Sequence, residues 1–301
     1  TTADGSGDWA FTPAAPLAEG AHSFTATATD AAGNVSGASN QVDVTIDSIA
    51  PAAPVIVTPA DGTHTSDTTP TISGTAEADS TVTVYDGVIA LGSTTADGSG
   101  DWSFTPGSPL SEGAHYFAAT ATDAASNEGP SSNQVEVTID TTDPTTSLDS
   151  TPPADDNDPT PDFTFSSNEP GATFECRVDG GAWAACTSPH TTAPLADGPH
   201  TFEVRAIDLA GNVDPTPESY GWTIDTTAPQ TTIDVAPPAQ SNTDSPSFEF
   251  SSNEPGSSFE CSLDGGAWGA CTSPHGLSGL SDGPHTFEVR ATDPVGNVDP
   301  S

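Results

Sequence analysis

The chain has no lysine and no methionine, and only three arginines, Arg177, Arg205 and Arg290, against 43 acidic residues in 301, for a formal net charge of −40. That field repels nucleic acid and anionic membranes, which makes both poor partners. Long hydrophobic runs are missing as well: no apolar stretch approaches the ~18 residues of a membrane span, and no signal-peptide pattern opens the sequence. Helical periodicity is absent throughout. Low hydrophobicity with high charge is a signature of disorder. Here, however, the acids are spread through alternating apolar and polar positions, and a disordered chain has no reason to keep that alternation. Two readings of the acidity stand together: cation binding, or solvation of a protein that lives in salt.

What is present is a stretch that recurs. His200-Thr-Phe-Glu-Val-Arg-Ala-Ile-Asp208 is matched by stretches beginning at His22, His115 and His285. In every copy the apolar residues alternate, as Phe24, Ala26 and Ala28, Phe117, Ala119 and Ala121, Phe202, Val204 and Ala206, and Phe287, Val289 and Ala291. Period two predicts a strand with one face buried and one wet. Each strand runs into an acidic loop, Asp-x-x-(Gly/Ser)-Asn, of the kind that adopts left-handed backbone angles. Phe24 and Phe117 lie 93 residues apart, and the two later spacings are 85 each. Those intervals suit one small β domain per copy rather than a solenoid repeat.

The implied organisation is an all-β tandem array of antiparallel β-sandwich domains. Residues 1–47 supply the second half of a domain, with residues 8–11 expected as one of its strands. Residues 48–140 and 141–225 are complete, and residues 226–301 lack a counterpart of Tyr220-Gly-Trp-Thr-Ile224. The sequence therefore reads as a window from a longer chain. About seven strands per domain are expected, with hairpin turns at Asp86-Gly87, Asp97-Gly98 and Asp179-Gly-Gly181.

Cysteine is scarce, but its placement is regular. Cys176 and Cys186 lie ten apart, and Cys261 and Cys271 repeat that spacing. One pair per domain at identical positions points to the local bridges Cys176–Cys186 and Cys261–Cys271. Zinc is the alternative, with no His at a ligand-like spacing. Disulfides imply an oxidising, extracytoplasmic setting. The seven His are read as structural rather than catalytic, because all but His64 recur at equivalent places. Trp9, Trp102, Trp183 and Trp268 are read as recurring packing residues.

The carboxylates carry the chemistry. In a seven-strand sandwich the second-to-third loop, the last loop and the incoming linker share one end. Acids gather in those three places. At the first junction they are Asp47, Glu77, Asp79, Asp123 and Asn127; at the second Asp140, Asp143, Glu169, Asp208, Asn212 and Asp214; at the third Asp225, Glu254, Asp293, Asn297 and Asp299. Oxygens converging from separate loops suit Ca²⁺, which takes six to eight of them, better than Mg²⁺. The bland reading is that these are turn formers and soluble loop residues.

The run Thr69-Pro-Thr-Ile-Ser-Gly-Thr-Ala-Glu77, with Ala121-Thr-Asp-Ala-Ala-Ser-Asn127, resembles the bacterial immunoglobulin-like repeats of giant surface adhesins. The cysteine-bearing stretches, with Ser166-Ser-Asn-Glu-Pro-Gly171 and Asp208-Leu-Ala-Gly-Asn-Val-Asp214, resemble a sister repeat. The resemblance implies a sandwich fold, an extracellular location and a non-enzymatic stalk role, often with calcium stiffening the joints. The Asp-x-x-Gly-Asn loop is also similar to a cadherin calcium motif. Two departures would weaken their sites: Ser126 stands in place of the loop glycine, and the third linker lacks an acid equivalent to Asp143. The partners so implied are neighbouring repeats of the same chain. Two other classes remain open, a filament subunit completed by strand addition and a sugar-binding module of a secreted enzyme.

Overall fold

A computed structural model describes residues 1–300; Ser301, assigned above to the fourth domain, lies outside the described residues. Every regular element among the described residues is a β-strand. The chain divides into two units, Thr1–Thr141 and Thr142–Ser301.

In the first unit, residues 55–139 build a two-layer sandwich. One layer orders Val55–Thr58, Ile72–Thr75 and Asp101–Phe104; the other orders Thr63–Thr65, Val135–Ile139, Gly113–Thr122, Thr81–Asp86 and Ile89–Thr95. The recurrent strand Gly113–Thr122 behaves as its alternation predicts. Phe117 and Ala119 are fully buried in one cluster with Ile72, Val82, Val84 and Val137, Ala121 is fully buried as well, and the residues between them are more exposed. Eight strands form rather than about seven, because the opening strand is split between layers. Val55–Thr58 pairs antiparallel with Ile72–Thr75, and Thr63–Thr65 then pairs parallel with Val135–Ile139. Pro59 stands between the pieces and has no N–H to continue the first ladder.

Residues 1–47 are thinner. Gly20–Phe24 pairs with Val42–Ile46, but residues 8–11 form no strand, and Trp9 and Phe11 are 56% and 65% exposed. The matching strand in the sandwich, Asp101–Phe104, pairs with Ile72–Thr75, and residues 1–47 contain no counterpart of that partner. Alternation alone does not make a strand without a ladder to join.

The second unit repeats the plan twice with a more aromatic core. Its first sandwich sets Thr146–Ser150, Asp162–Ser167 and His190–Thr191 against Asp155–Asp156, Glu218–Ile224, Gly198–Ile207, Thr173–Val178 and Ala184–Cys186. Phe163 stacks on Phe202 at 4.1 Å, and Trp222 meets Phe163 edge-on at 5.2 Å. Offset stacking and edge-to-face contacts are the favoured geometries for such rings. The next sandwich repeats the stack as Phe248 on Phe287 at 4.1 Å. Both of these rings are only half buried, because no described residue supplies the covering strand that carries Trp222.

Cys176–Cys186 and Cys261–Cys271 are disulfide-bonded, each with Cα atoms 5.8 Å apart across adjacent strands. Sequence spacing offered no ligand-like His for either pair, yet at the second a His275 nitrogen lies within 4.8 Å of both sulfurs. With the sulfurs bonded to each other, no thiolate is available to hold zinc. The shared packing role of the tryptophans is also corrected. Trp102 is core, 4% exposed, and sits in a strand of the smaller layer. Trp183 and Trp268 instead follow the Gly-Gly turn of the disulfide hairpin and lie on the outward face, under arginine guanidinium groups.

Candidate functional site

Each sandwich first secures the corner where its long strand begins. In the first, His115 Nδ1 lies 2.6 Å from Asp86 Oδ2 and Nε2 lies 2.9 Å from the Ser111 carbonyl. His200 repeats this with Asp179 at 2.8 Å and the Ala196 carbonyl at 2.7 Å, and His285 with Asp264 and the Ser281 carbonyl, both at 2.8 Å. The other oxygen of each Asp accepts the backbone N–H of the residue after the His. Hairpin turn, preceding loop and strand are thus tied through one imidazole. Sequence spacing located these His but not their partners, because the Asp lies 21 to 29 residues upstream, across a hairpin.

At the opposite end of the strand, the Asp-x-x-(Gly/Ser)-Asn loop folds around its own aspartate. Asp293 Oδ1 accepts the N–H groups of Gly296 and Asn297, and Oδ2 accepts Asn297 Nδ2. Asp123, Asp208 and Asp30 are bonded likewise to Asn127, Asn212 and Asn34. The side-chain bond from Asn127 holds the Asp123 carboxyl below the usual carboxylate range, opposed by burial and helped by backbone donors. The fourth position of the loop motif is left-handed in all four copies, at Gly33, Ser126, Gly211 and Gly296. Ser126 adopts φ 73° there, a conformation disfavoured for a residue with a Cβ.

The asparagine does a second job. Asn127 Nδ2 donates to the Asp47 carbonyl at 3.0 Å, and Asn297 Nδ2 to the Asp225 carbonyl at 2.7 Å. The loop of one sandwich therefore grips the linker that enters it.

At the third junction one carboxylate oxygen from each of Asp225, Glu254 and Asp293 lies within 4.8 Å of the other two. Asp293 is 5% exposed, and Asp225 and Glu254 are half buried. The Glu254 carboxyl is pushed up, first by burial and then by the charges of Asp225 and Asp293. Three acids from a linker and two loops thus face one another. This is the spacing that oxygens occupy around a cation with ligand distances of about 2.3–2.6 Å.

The remaining expected ligands divide. Glu77 and Asp79 are exposed, and no three-carboxylate group forms with Asp47 and Asp123 among the described residues. Asp79 takes φ 61°, at the position held by Gly171 and Gly256 in the other loops, which makes it a turn residue. In the second set, Asp140 belongs to the first unit, where its N–H bonds the Thr65 carbonyl. Asp143 is exposed, Glu169 is half buried and Asp208 is 8% exposed, all in the second unit. Asp214 and Asp299 serve their own sandwiches. Asp214 is 2% exposed and accepts the N–H groups of Thr146 and Thr216; Asp299 accepts the Thr231 N–H at 2.7 Å. Burial works to raise the Asp214 carboxyl, but the bonds from Thr146 and Thr216 carry it below its ordinary value.

This frame, a two-layer sandwich with a carboxylate loop closing on the entering linker, has a family counterpart. Residues 1–48 and 58–141 match the model of the bacterial Ig-like domain. The match spans the first unit, its partial domain and its sandwich. Solved structures similar to the chain include the fibronectin(III)-like modules of Clostridium thermocellum CbhA, with 19% identity over 57% of this chain and 93% of that one and a TM-score of 0.39. A tetra-tandem repeat from the extending region of a large adhesion protein shows 21% identity over 94% and 80%, with a TM-score of 0.29. A 1.5-MDa bacterial ice-binding adhesin shows 17% identity over 78% and 88%, with a TM-score of 0.35. No curated protein matches the chain. Among the described residues no helix is long and apolar enough to cross a membrane.

Proposed function

We propose that the chain is a spacer segment of an extracellular bacterial adhesin or appendage, and that Ca²⁺ stiffens its joints. The Asp225, Glu254 and Asp293 group carries this reading, because it gathers three carboxylates from a linker and two loops at one place. A bound cation would offset their repulsion and fasten linker to loops, adding to the bond that Asn297 already makes to Asp225. Two intra-hairpin disulfides support an oxidising, extracellular setting. The partners of such a segment are the Ig-like domains before and after it in the same polypeptide.

Calorimetric titration of the 301-residue chain with CaCl₂ tests the cation. Binding adds RT ln(1 + [L]/Kd) to stability, about 2.7 kcal/mol at a hundredfold excess over Kd. Glu254→Gln should act in opposite directions: more stable than the parent in chelator, where repulsion is relieved, and weaker in its calcium response. A variant that leaves both the apo stability and the calcium response unchanged would remove the joint from consideration.

A further inference from the structure

The residue just before each long strand is an acid, and it reaches the linker that leaves the same domain. Glu19, Glu112 and Asp197 precede the strands Gly20–Phe24, Gly113–Thr122 and Gly198–Ile207. Ser48, Thr141 and Thr226 stand just beyond the closing strands that pair with them. Acid and hydroxyl are 29 residues apart in each of these three copies. Glu19 accepts the Ser48 N–H at 3.1 Å and the Ser48 hydroxyl, and Glu112 accepts the Thr141 N–H at 3.0 Å and the Thr141 hydroxyl. Asp197 Oδ1 accepts the Thr226 N–H at 3.0 Å and its hydroxyl at 2.7 Å, and Oδ2 accepts the Thr227 hydroxyl at 2.6 Å. Bonds to an ionised acceptor are the stronger kind.

One residue earlier, two of these linkers are gripped from the sandwich that follows. The Asp47 carbonyl accepts Asn127 and the Asp225 carbonyl accepts Asn297. Neighbouring linker residues are therefore bonded to opposite sides of the joint, Ser48 and Thr226 backward, Asp47 and Asp225 forward. A further fixed point comes at Pro51 and Pro229, both buried, where the proline ring sets φ. Pro51 lies so close to the following sandwich that a Cβ on Gly129 would fall 2.3 Å from its carbonyl oxygen. Little chain is left free between these points. Ile49 donates its N–H to Asp47 Oδ1 and Thr227 to Asp225 Oδ1, each at 3.1 Å.

We propose that Glu19 with Asn127, and Asp197 with Asn297, are ion-independent straps that hold successive domains at a fixed mutual orientation. Bending such a joint breaks the bonds on one side of the linker or the other. The strap differs in kind from the group of Asp225, Glu254 and Asp293: it uses the backbone carbonyl of Asp225, and it needs no cation. Glu19, Glu112 and Asp197 are all exposed, and a single exposed hydrogen bond adds little to the stability of a domain. Losing the strap should therefore loosen the joint without unfolding either sandwich.

The test is made in EDTA, so that its failure is distinct from failure of the calcium reading. Residual dipolar couplings of the ¹⁵N-labelled 301-residue chain should fit residues 142–225 and 226–300 with one alignment tensor. In Asp197→Ala the two tensors should separate, and exchange of the Thr226 amide should quicken by about tenfold. The melting temperatures of both sandwiches and the chemical shifts of their cores should stay where they are. Thr226→Val, which keeps the N–H and loses the hydroxyl, should fall between parent and Asp197→Ala. Glu19→Ala should free residues 1–47 from the sandwich of residues 55–139 in the same way. Separate tensors in the parent, or an Asp197→Ala chain that keeps the parent's common tensor and slow Thr226 exchange, would overturn the proposal. So would an Asp197→Ala variant whose own sandwich melts earlier in step with the lost alignment, since the carboxylate would then serve the fold and not the joint. Should Asp197→Ala not fold, Thr226→Val combined with Thr227→Val decides by the same couplings.

Discussion

A neutral imidazole offers one donor and one acceptor, yet His115, His200 and His285 each face a carboxylate with one nitrogen and a carbonyl with the other. Only the imidazolium satisfies both oxygens. For His200 the Ala196 carbonyl and then Asp179 raise the pKa, and for His285 Asp264 and then the Ser281 carbonyl do so. At His115 burial opposes the shift, and the bonds to Asp86 and Ser111 outweigh it. A pKa raised above about 6.5 contributes stability that is complete below that value and is lost as pH rises through the folded pKa. The Asp264 carboxyl is lowered, chiefly by His285, so its share persists above the carboxylate range and is lost in acid. Denaturant midpoints measured against pH should therefore peak between these limits and decline as pH rises above about 6.5. Asp179→Asn should lower the His200 pKa seen by NMR and flatten that decline; an unchanged His200 titration would refute the lock.

At the scale of elements, period two was the most informative signal. It placed the recurrent strand and, in the two complete sandwiches, its buried Phe117 and Phe202, because one face of each strand has to be apolar. Phe24 in the partial domain is instead 37% exposed, and Phe287 is half buried. The split of the opening strand at Pro59 was not legible, since Thr63–Thr65 is too short to show alternation. Trp183 was misread for a related reason: after a Gly-Gly turn the period restarts, and only the structure shows the ring lying over Arg177 and Arg205. The cysteine pairs were legible because they recur in register, ten apart. Closing so short a loop is worth about 2–3 kcal/mol by the chain-entropy argument. Replacing Cys261 and Cys271 by Ser should cost that much in the last sandwich, whose Phe248 and Phe287 are only half buried. The same change at Cys176 and Cys186 should be better tolerated, because Phe163, Phe202 and Trp222 bury a fuller core there. Separate thermal unfolding of the two double variants would compare these costs.

For the whole molecule the governing quantity is charge, and the question is whether the acids act together or at sites. Forty net negative charges repel one another in the folded state, and salt weakens this by shortening the screening length from about 30 Å at 0.01 M to about 8 Å at 0.15 M. Added NaCl should therefore raise the melting temperature of every sandwich in proportion to its acidity, with no saturation at a fixed stoichiometry. Calcium held at the third junction should behave differently. Asp225, Glu254 and Asp293 are close enough to share one ion, whereas Asp214 and Asp299 are committed to Thr146 and Thr231. That division was not legible from composition, in which all of these residues are alike. At matched ionic strength, exchanging part of the NaCl for CaCl₂ should add a saturable increment to the transition of the second unit, and Asp225→Asn should diminish it. If NaCl alone reproduces the whole effect of calcium, the acids serve solvation, and the joint is held by Asn297 and its bond to the linker.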